Sequence, residues 1–324
     1  MGRYALALFI AAGLAVARPA ASAEEPTSQP VKGQPGAVKE YVYKKTPQGK
    51  LRIHVDFPKA WKPSDRRPGI VFFFGGAWVS GTVRQFEDQA SYLASRGMVA
   101  ARADYRVKSR HKVTPDKCVE DANSAVRWLR AHAAELGIDP KRIVAAGGSS
   151  GGHLAACTGT APVPPAPGEA ASVSAKPNAM ILFNPALSFV GSANMMRRLG
   201  PNGRGFARRI SPTVNLTKDA PPALLLYGTN DFLLPQGRAF LAKAKRIGHR
   251  SELYLAEGQR HGFFNRSPWK ERTLRRADEF LISLGYLTGK PTVKDGHFRE
   301  ARSRRRGQKG QPSRGSPERG PSPP

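Results

Sequence analysis

The sequence predicts a doubly wound α/β fold, a mostly parallel β-sheet with helices on both faces. Three observations predict it. Continuous apolar runs recur at Gly69 to Phe74, Ile143 to Ala146 and Ala223 to Tyr227, and such runs suit strands buried on both faces. Amphipathic segments at helical spacing alternate with these runs. The alternation extends from residue 39 to residue 288 with no internal repeat, a length that fits one α/β domain.

In chain order, the first buried strand, Gly69 to Phe74, ends in Gly75-Gly76-Ala77-Trp78. A stripe of Val83, Phe86, Ala90 and Leu93 then predicts a helix that stops at Gly97. Thr114-Pro115 opens a second helix, with Cys118, Ala122, Ala125, Leu129, Ala133 and Leu136 on one face, and Gly137 closes it. The strand from Ile143 runs directly into Gly147-Gly148-Ser149-Ser150-Gly151-Gly152-His153. Further along, Ala223 to Tyr227 and Glu252 to Ala256 read as strands, and Leu274 to Leu287 as the last helix.

The ends have a different composition. Arg3, the apolar run Ala5 to Ala17 and Ala21-Ser22-Ala23 form the three parts of a signal peptide over residues 1–23, and the run falls short of the roughly 20 residues a membrane span needs. Export to the periplasm or beyond, with no transmembrane segment in the mature chain, is the expectation. Residues 24–38 contain Pro26, Pro30 and Pro35 and read as a linker. Residues 289–324 are rich in Gly, Pro, Ser, Lys and Arg and read as a disordered basic tail that accounts for part of the formal net charge of +28. For an exported chain such a tail meets anionic envelope or acidic polysaccharide, so no specific nucleic-acid partner is expected; a solvated tail without a partner is the plainer reading.

The glycine-flanked serines carry the chemistry. A serine at the tip of a sharp strand-to-helix turn holds its hydroxyl clear of the sheet, and the crowded backbone accepts only very small neighbours. A dinucleotide-binding turn also follows a strand, but no G-x-G-x-x-G can be written here. G-x-S-x-G fits both Gly147 to Gly151 and Gly148 to Gly152, so pattern alone leaves Ser149 and Ser150 open. After the serines come Gly228-Thr229-Asn230-Asp231, just past a strand, and Glu257-Gly258-Gln259-Arg260-His261-Gly262-Phe263-Phe264, just past the next. A serine, a carboxylate and a histidine thus lie in that order on loops that converge at one sheet edge. Taken singly, Asp231 could make an Asx turn, and His153 more simply packs in the first turn of its helix. His54, His111, His132, His249 and His297 lack the flanking glycine of His261.

The run Gly147 to Ala155 resembles the G-x-S-A-G-G-H-L-A of serine esterases of the α/β-hydrolase fold, in the hormone-sensitive-lipase-like and bacterial feruloyl-esterase-like (BD-FAE-like) groups. The resemblance extends over the whole body from Lys39 to Leu287 and includes the G-T-x-D and H-G-F segments. It implies Ser149 as nucleophile, Asp231 and His261 as its partners, and the backbone N–H groups of Gly76, Ala77 and Ser150 as an oxyanion hole. It also exposes a departure, because Phe74 stands where the family usually has histidine. No metal or other cofactor is expected, there being no H-E-x-x-H, C-x-x-C or cysteine-histidine cluster.

Three classes compete: a carboxylesterase, a serine peptidase of the same fold, and a non-catalytic binding protein. Peptidases of this fold usually carry a propeller or large cap, for which the chain has no room, and a binding protein would typically have lost one of the three residues. The insertion from about Leu187 to Pro221 holds Arg197, Arg198, Arg204, Arg208 and Arg209, so a small polar cap and a short acyl pocket are expected. The substrate would be a small-molecule or polysaccharide ester of acetyl type. The two cysteines, Cys118 and Cys157, fall on neighbouring helices; a disulfide needs Cα atoms within about 7 Å, less than usual helix spacing, which favours two separate buried thiols.

Overall fold

The continuous apolar runs become strands whose alternate side chains feed two separate cores. The computed structural model describes residues 36–201 and 203–298; the expected signal peptide, linker residues 24–35 and tail residues 299–324 lie outside the described residues. Eight strands are present among the described residues: β1 (Val38–Thr46), β2 (Gly49–Asp56), β3 (Arg67–Phe73), β4 (Val99–Ala103), β5 (Ile138–Gly148), β6 (Ala179–Phe183), β7 (Ala223–Gly228) and β8 (Ser251–Ala256). They form one sheet in the order β1-β2-β4-β3-β5-β6-β7-β8, antiparallel where β2 meets β1 and β4 and parallel elsewhere. This is the α/β-hydrolase architecture that the sequence resemblance implied.

The helices are α1 (Glu87–Ser95), α2 (Lys108–His111), α3 (Pro115–Ala131), α4 (Ser150–Thr160), α5 (Ala193–Arg198), α6 (Arg204–Ala207), α7 (Pro212–Asn215), α8 (Leu234–Ile247) and α9 (Trp269–Ser283). Successive side chains of a strand point to opposite faces. Val71 and Phe73 of β3 and Ile143 and Ala145 of β5 therefore pack with Val119 and Leu129 of α3, Leu154 of α4 and Phe240 of α8. Ile70, Phe72, Val144 and Ala146 pack on the other side with Leu93 of α1 and Leu274, Phe280 and Leu281 of α9.

Several boundaries differ from the sequence reading. Helix α3 ends at Ala131, not next to Gly137: the His132 ring lies 4.4 Å from Trp128 and its Nδ1 is 2.9 Å from the Trp128 carbonyl. Residues 132–137 turn instead, and Gly137, at φ 63°, brings the chain into β5. The last helix starts earlier, at Trp269. Strands β1 and β2 were missed, although Leu51, Ile53 and Val55 alternate with the less buried Arg52 and His54. The domain also continues past 288. Val293 and Phe298 are buried in the α1/α9 core, the Tyr92 hydroxyl accepts from the Thr292 amide at 3.0 Å, and Arg272 and Arg275 pair with Asp295. Residues 289–298 are thus a strap on the domain and not part of a tail.

Cys118 and Cys157 are both free and buried. The insertion buries Phe189, Leu199, Ile210 and Leu216 in the core while Arg197, Arg198, Arg204, Arg208 and Arg209 stay exposed, so its apolar residues are structural and its outer face is polar.

Candidate active site

The register of the parallel strands lines up their carboxyl ends: Phe73 opposes Gly147, Gly148 opposes Phe183, and Gly228 opposes Ala256. The loops leaving these ends emerge side by side, where ligands bind in open α/β sheets. They carry Gly76, Ala77, Ser149, Asp231 and His261.

Ser149 sits between β5 and α4 at φ 54°, ψ −116°, a conformation few L-residues adopt. The turn is held by the Ser149 amide donating to the Phe183 carbonyl at 2.9 Å and by the His153 amide donating to the Ser149 carbonyl at 3.0 Å. No side chain fits beside it, since a Cβ on Gly151 would lie 2.1 Å from the Phe73 carbonyl oxygen. The two serines are now distinguishable. Ser150 opens α4 and is 1 % exposed, with its side chain turned inward, whereas the Ser149 hydroxyl meets His261 Nε2 at 2.9 Å.

Asp231 and His261 complete a chain of contacts. Both carboxylate oxygens of Asp231 lie 2.9–3.0 Å from His261 Nδ1. A carboxylate only accepts, so Nδ1 carries the proton and Nε2 is left to accept from the Ser149 hydroxyl. Asp231 has no exposed side-chain surface and His261 is a quarter exposed, so the carboxylate is fixed and the imidazole faces the opening. The two loops are stapled together: the Gly258 amide donates to Thr229 Oγ1 at 2.8 Å, and the Asn230 amide to the Gln259 carbonyl at 3.0 Å. Gly228 is needed there, because a Cβ would stand 2.0 Å from the Gln259 oxygen.

Gly76 and Ala77 follow β3 on the loop beside Ser149; a Cβ on the preceding Gly75 would come 3.3 Å from Ser149 Cβ. Ala77 and Trp78 have φ 57° and 61°. Positive φ at two consecutive non-glycine residues costs of order 1–3 kcal/mol each and persists only where the surroundings impose it. Those surroundings also account for Phe74. Its ring stacks on Tyr105 at 4.1 Å and its carbonyl accepts from the Tyr105 hydroxyl at 2.7 Å, while Gln85 Oε1 accepts from the Gly75 amide at 2.6 Å. Trp78 is buried, and its Nε1 donates to His153 Nδ1 at 3.2 Å. His153 therefore carries its proton on Nε2 and donates to the Ile210 carbonyl at 2.7 Å; complete burial pushes its pKa down to about 4. It packs, as expected, and lies behind the loop.

Sequence reasoning missed three residues here. Gln85 Nε2 donates to Asn265 Oδ1 at 3.1 Å, Asn265 Nδ2 donates to the Gly262 carbonyl at 3.0 Å, and the Gly262 amide donates to Asn184 Oδ1 at 3.0 Å. The relay connects the Gly75 loop, the His261 loop and the end of β6. Asn184 is fully buried at φ 38°. None of the three belongs to a motif, and the only local signal is the tolerance of Asn for positive φ. Of the non-glycine residues with positive φ among the described residues, Ala77, Trp78, Ser149 and Asn184 all gather at this edge, with only Lys112 elsewhere.

Among the described residues no group of three or more His, Cys, Asp or Glu side chains is placed to hold a metal, and no helix is long and apolar enough to cross a membrane. What the geometry can do chemically is raise the nucleophilicity of one hydroxyl, through a base of fixed tautomer, beside backbone amides on a rigid loop.

The chain is similar to known esterases. Residues 55–198 match the family model BD-FAE. The chain is similar to "Esterase LipC" of Mycobacterium tuberculosis (strain ATCC 25618 / H37Rv), 30 % identical with 62 % of this chain and 54 % of that protein covered. It is also similar to "Probable isoprenylcysteine alpha-carbonyl methylesterase ICMEL1" of Arabidopsis thaliana, 27 % identical over 68 % of this chain and 50 % of that protein. The chain spans about half the length of these relatives. Among solved structures, Thermogutta terrifontis esterase 2 phosphoramylated by tabun superposes with TM-score 0.74 at 45 % identity, covering 80 % of this chain and 98 % of that one. The propionate-bound form of the same thermophilic Planctomycetes esterase gives TM-score 0.73 at 46 % identity, covering 79 % and 97 %.

Proposed function

Because the chain belongs to the α/β-hydrolase esterases of the BD-FAE type, we propose that it is an exported serine carboxylic-ester hydrolase whose triad is Ser149, Asp231 and His261. The observation that carries the reading is the continuous contact from Asp231 through both ring nitrogens of His261 to Ser149 Oγ. His261 Nε2 takes the hydroxyl proton as Ser149 Oγ attacks the ester carbonyl, and Asp231 stabilises the imidazolium that forms. The oxyanion receives the amides of Gly76, Ala77 and Ser150, each such donor contributing on the order of a hundredfold or more in rate. Collapse expels the alcohol oxygen, which takes the proton from Nε2. Water, activated by the same histidine, then releases the acid from the acyl-serine.

The proposed substrates are esters of short acids, acetyl or propionyl, on small molecules or polysaccharides. The polar outer face of the 187–221 insertion supports this, since it offers exposed arginines in place of a broad apolar trench. Propionate-bound and butyrate-bound forms of Thermogutta terrifontis esterase 2 point the same way. Export rests on the signal-peptide pattern of residues 1–23, and contact of the basic chain end with anionic envelope or acidic polysaccharide rests on composition. The intact set of three residues speaks against a binding protein on this fold.

A fluorophosphonate probe and a p-nitrophenyl acetate assay test the reading. Ser149→Ala should abolish labelling and lower kcat by about a millionfold, while Ser150→Ala, which keeps its backbone amide, should still label. Labelling that survives in Ser149→Ala and disappears in Ser150→Ala would transfer the nucleophile to Ser150.

A further inference from the structure

Phe232 is the most exposed large apolar side chain among the described residues, at 73 %, and its neighbours in sequence do the opposite: Leu233 and Leu234 are almost fully buried. The backbone enforces the split. The Asp231 amide donates to the Gly228 carbonyl, Asp231 Oδ1 accepts from the Leu233 amide at 2.8 Å, and the Leu234 amide donates to the Asp231 carbonyl. This tight turn directs the carboxylate and both leucines inward and leaves the phenyl ring outside, where it packs against the His261 imidazole with ring centroids 4.7 Å apart. A phenylalanine that never enters the core forgoes the burial for which the residue is usually selected.

We propose that Phe232 is the platform for the alcohol half of the ester, and that this half carries a ring face, either an aromatic ring or the apolar face of a sugar. The assignment rests on the esterase reading above. In that reaction His261 Nε2 returns its proton to the departing alcohol oxygen, so the alcohol leaves beside the imidazole. The oxyanion donors stand elsewhere, Gly76 and Ala77 on the loop after β3 and Ser150 at the start of α4. A flat apolar surface packed against the imidazole therefore borders the leaving group and not the carbonyl oxygen. An aromatic ring recognises another ring by offset or edge contact, which a linear alcohol cannot supply to the same extent. Phe232 is thus a specificity-determining residue for the alcohol, separate from whatever sets acyl length.

The test compares primary-alcohol acetates that differ only in the alcohol, namely ethyl acetate, benzyl acetate and methyl 6-O-acetyl-glucopyranoside, in the full chain and in Phe232→Ala and Phe232→Trp. Phe232→Ala should lower kcat/KM on the benzyl ester, the sugar ester or both, relative to ethyl acetate, by about three- to tenfold, the size of one ring contact, and Phe232→Trp should retain the preference. The ratio of acetyl to butyryl turnover among ethyl esters should stay within twofold, and the pH at which kcat/KM reaches half its plateau should not move. A loss on the benzyl ester alone identifies an aromatic alcohol, and a loss on the glucoside alone a sugar. An equal fall on all three acetates with a displaced pH profile overturns the proposal and makes Phe232 a positioning residue for His261. A changed acyl ratio overturns it in favour of an acyl-side role. Should the unaltered chain turn over no ester while remaining folded, the esterase reading falls first and this assignment with it.

Discussion

Gln85→Ala removes a side chain that joins the loop after β3 to the loop of His261. Its Oε1 is the acceptor for the amide of Gly75, a buried residue, and its Nε2 is a donor to Asn265. A buried N–H left without an acceptor costs about 1–3 kcal/mol, and the second bond adds about 0.5–1.5 kcal/mol. Gln85 is half-buried, so water can replace part of both, and about 2 kcal/mol is the reasonable expectation. In a domain of this size that lowers Tm by roughly 4–8 °C. The kinetic effect should be larger. The freed loop no longer holds Gly76 and Ala77 at their imposed positive φ, and weakening one of these proposed oxyanion donors should lower kcat on the order of tenfold to a few hundredfold with little change in KM. Gln85→Glu separates the two halves: it keeps the acceptor for Gly75 but sets a carboxylate oxygen against Asn265 Oδ1, so it should disturb the His261 loop and spare Tm more than the alanine does. Differential scanning calorimetry and p-nitrophenyl acetate kinetics on the three proteins measure both effects. A Gln85→Ala protein with unaltered Tm and kcat would falsify the relay, and would leave the Tyr105 hydroxyl and the Trp78–His153 contact as sufficient to hold the loop.

Two further outcomes follow from burial. His153 has a folded pKa of about 4 against about 6.5 in an unfolded chain, so the folded state binds its proton less readily; this stability is fully present above pH 6.5 and is lost as pH falls through 4, about 3 kcal/mol in all. Asp56 has the opposite sign, since burial pushes its pKa up to about 6 even beside Arg102 and its contribution is lost as pH rises through 6; urea midpoints of His153→Gln against the unaltered chain between pH 7 and 4 isolate the histidine, and parallel acid slopes in the two proteins would refute it. A chain ending at residue 288 loses the buried Val293 and Phe298 and the hydrogen bonds to Tyr92, so it should melt several degrees below one ending at residue 298; identical melting curves would show that the strap contributes nothing.

What the sequence made legible were residues whose placement is written in their immediate neighbours. Ser149 is bracketed by glycines because the turn is crowded, and Asp231 and His261 each follow a buried strand, so local pattern and chain order suffice. Gln85, Asn184 and Asn265 are ordinary polar residues whose partners lie far away in sequence, Gln85 to Asn265 being 180 positions apart, and no periodicity encodes such a contact. The same reason hid the inward side of the 187–221 insertion. Its helices are of four to six residues, too short to show a stripe, so Leu199, Ile210 and Leu216 looked scattered beside the arginines. The strap was mistaken for tail because its composition is that of a loop, with only Val293 and Phe298 as buried apolar residues, and the polar contacts that also hold it, from Tyr92, Arg272 and Arg275, come from far away in sequence.

The crowding at the elbow constrains the history open to this segment. A Cβ on Gly147 would sit 2.4 Å from the Gly151 carbonyl oxygen, and one on Gly151 would sit 2.1 Å from that of Phe73. Both obstacles are main chain, so no neighbouring rotamer change relieves them. Selection for folding alone therefore forbids substitution at these positions as firmly as selection for turnover does. A lineage that lost Ser149 would go on displaying the glycines, and a saturation library screened only for soluble expression should be depleted at 147 and 151 while position 149 accepts small residues such as Ala and Gly that its positive φ tolerates. Invariance at the glycines would record the architecture of the turn, and only the serine between them would keep the record of chemistry.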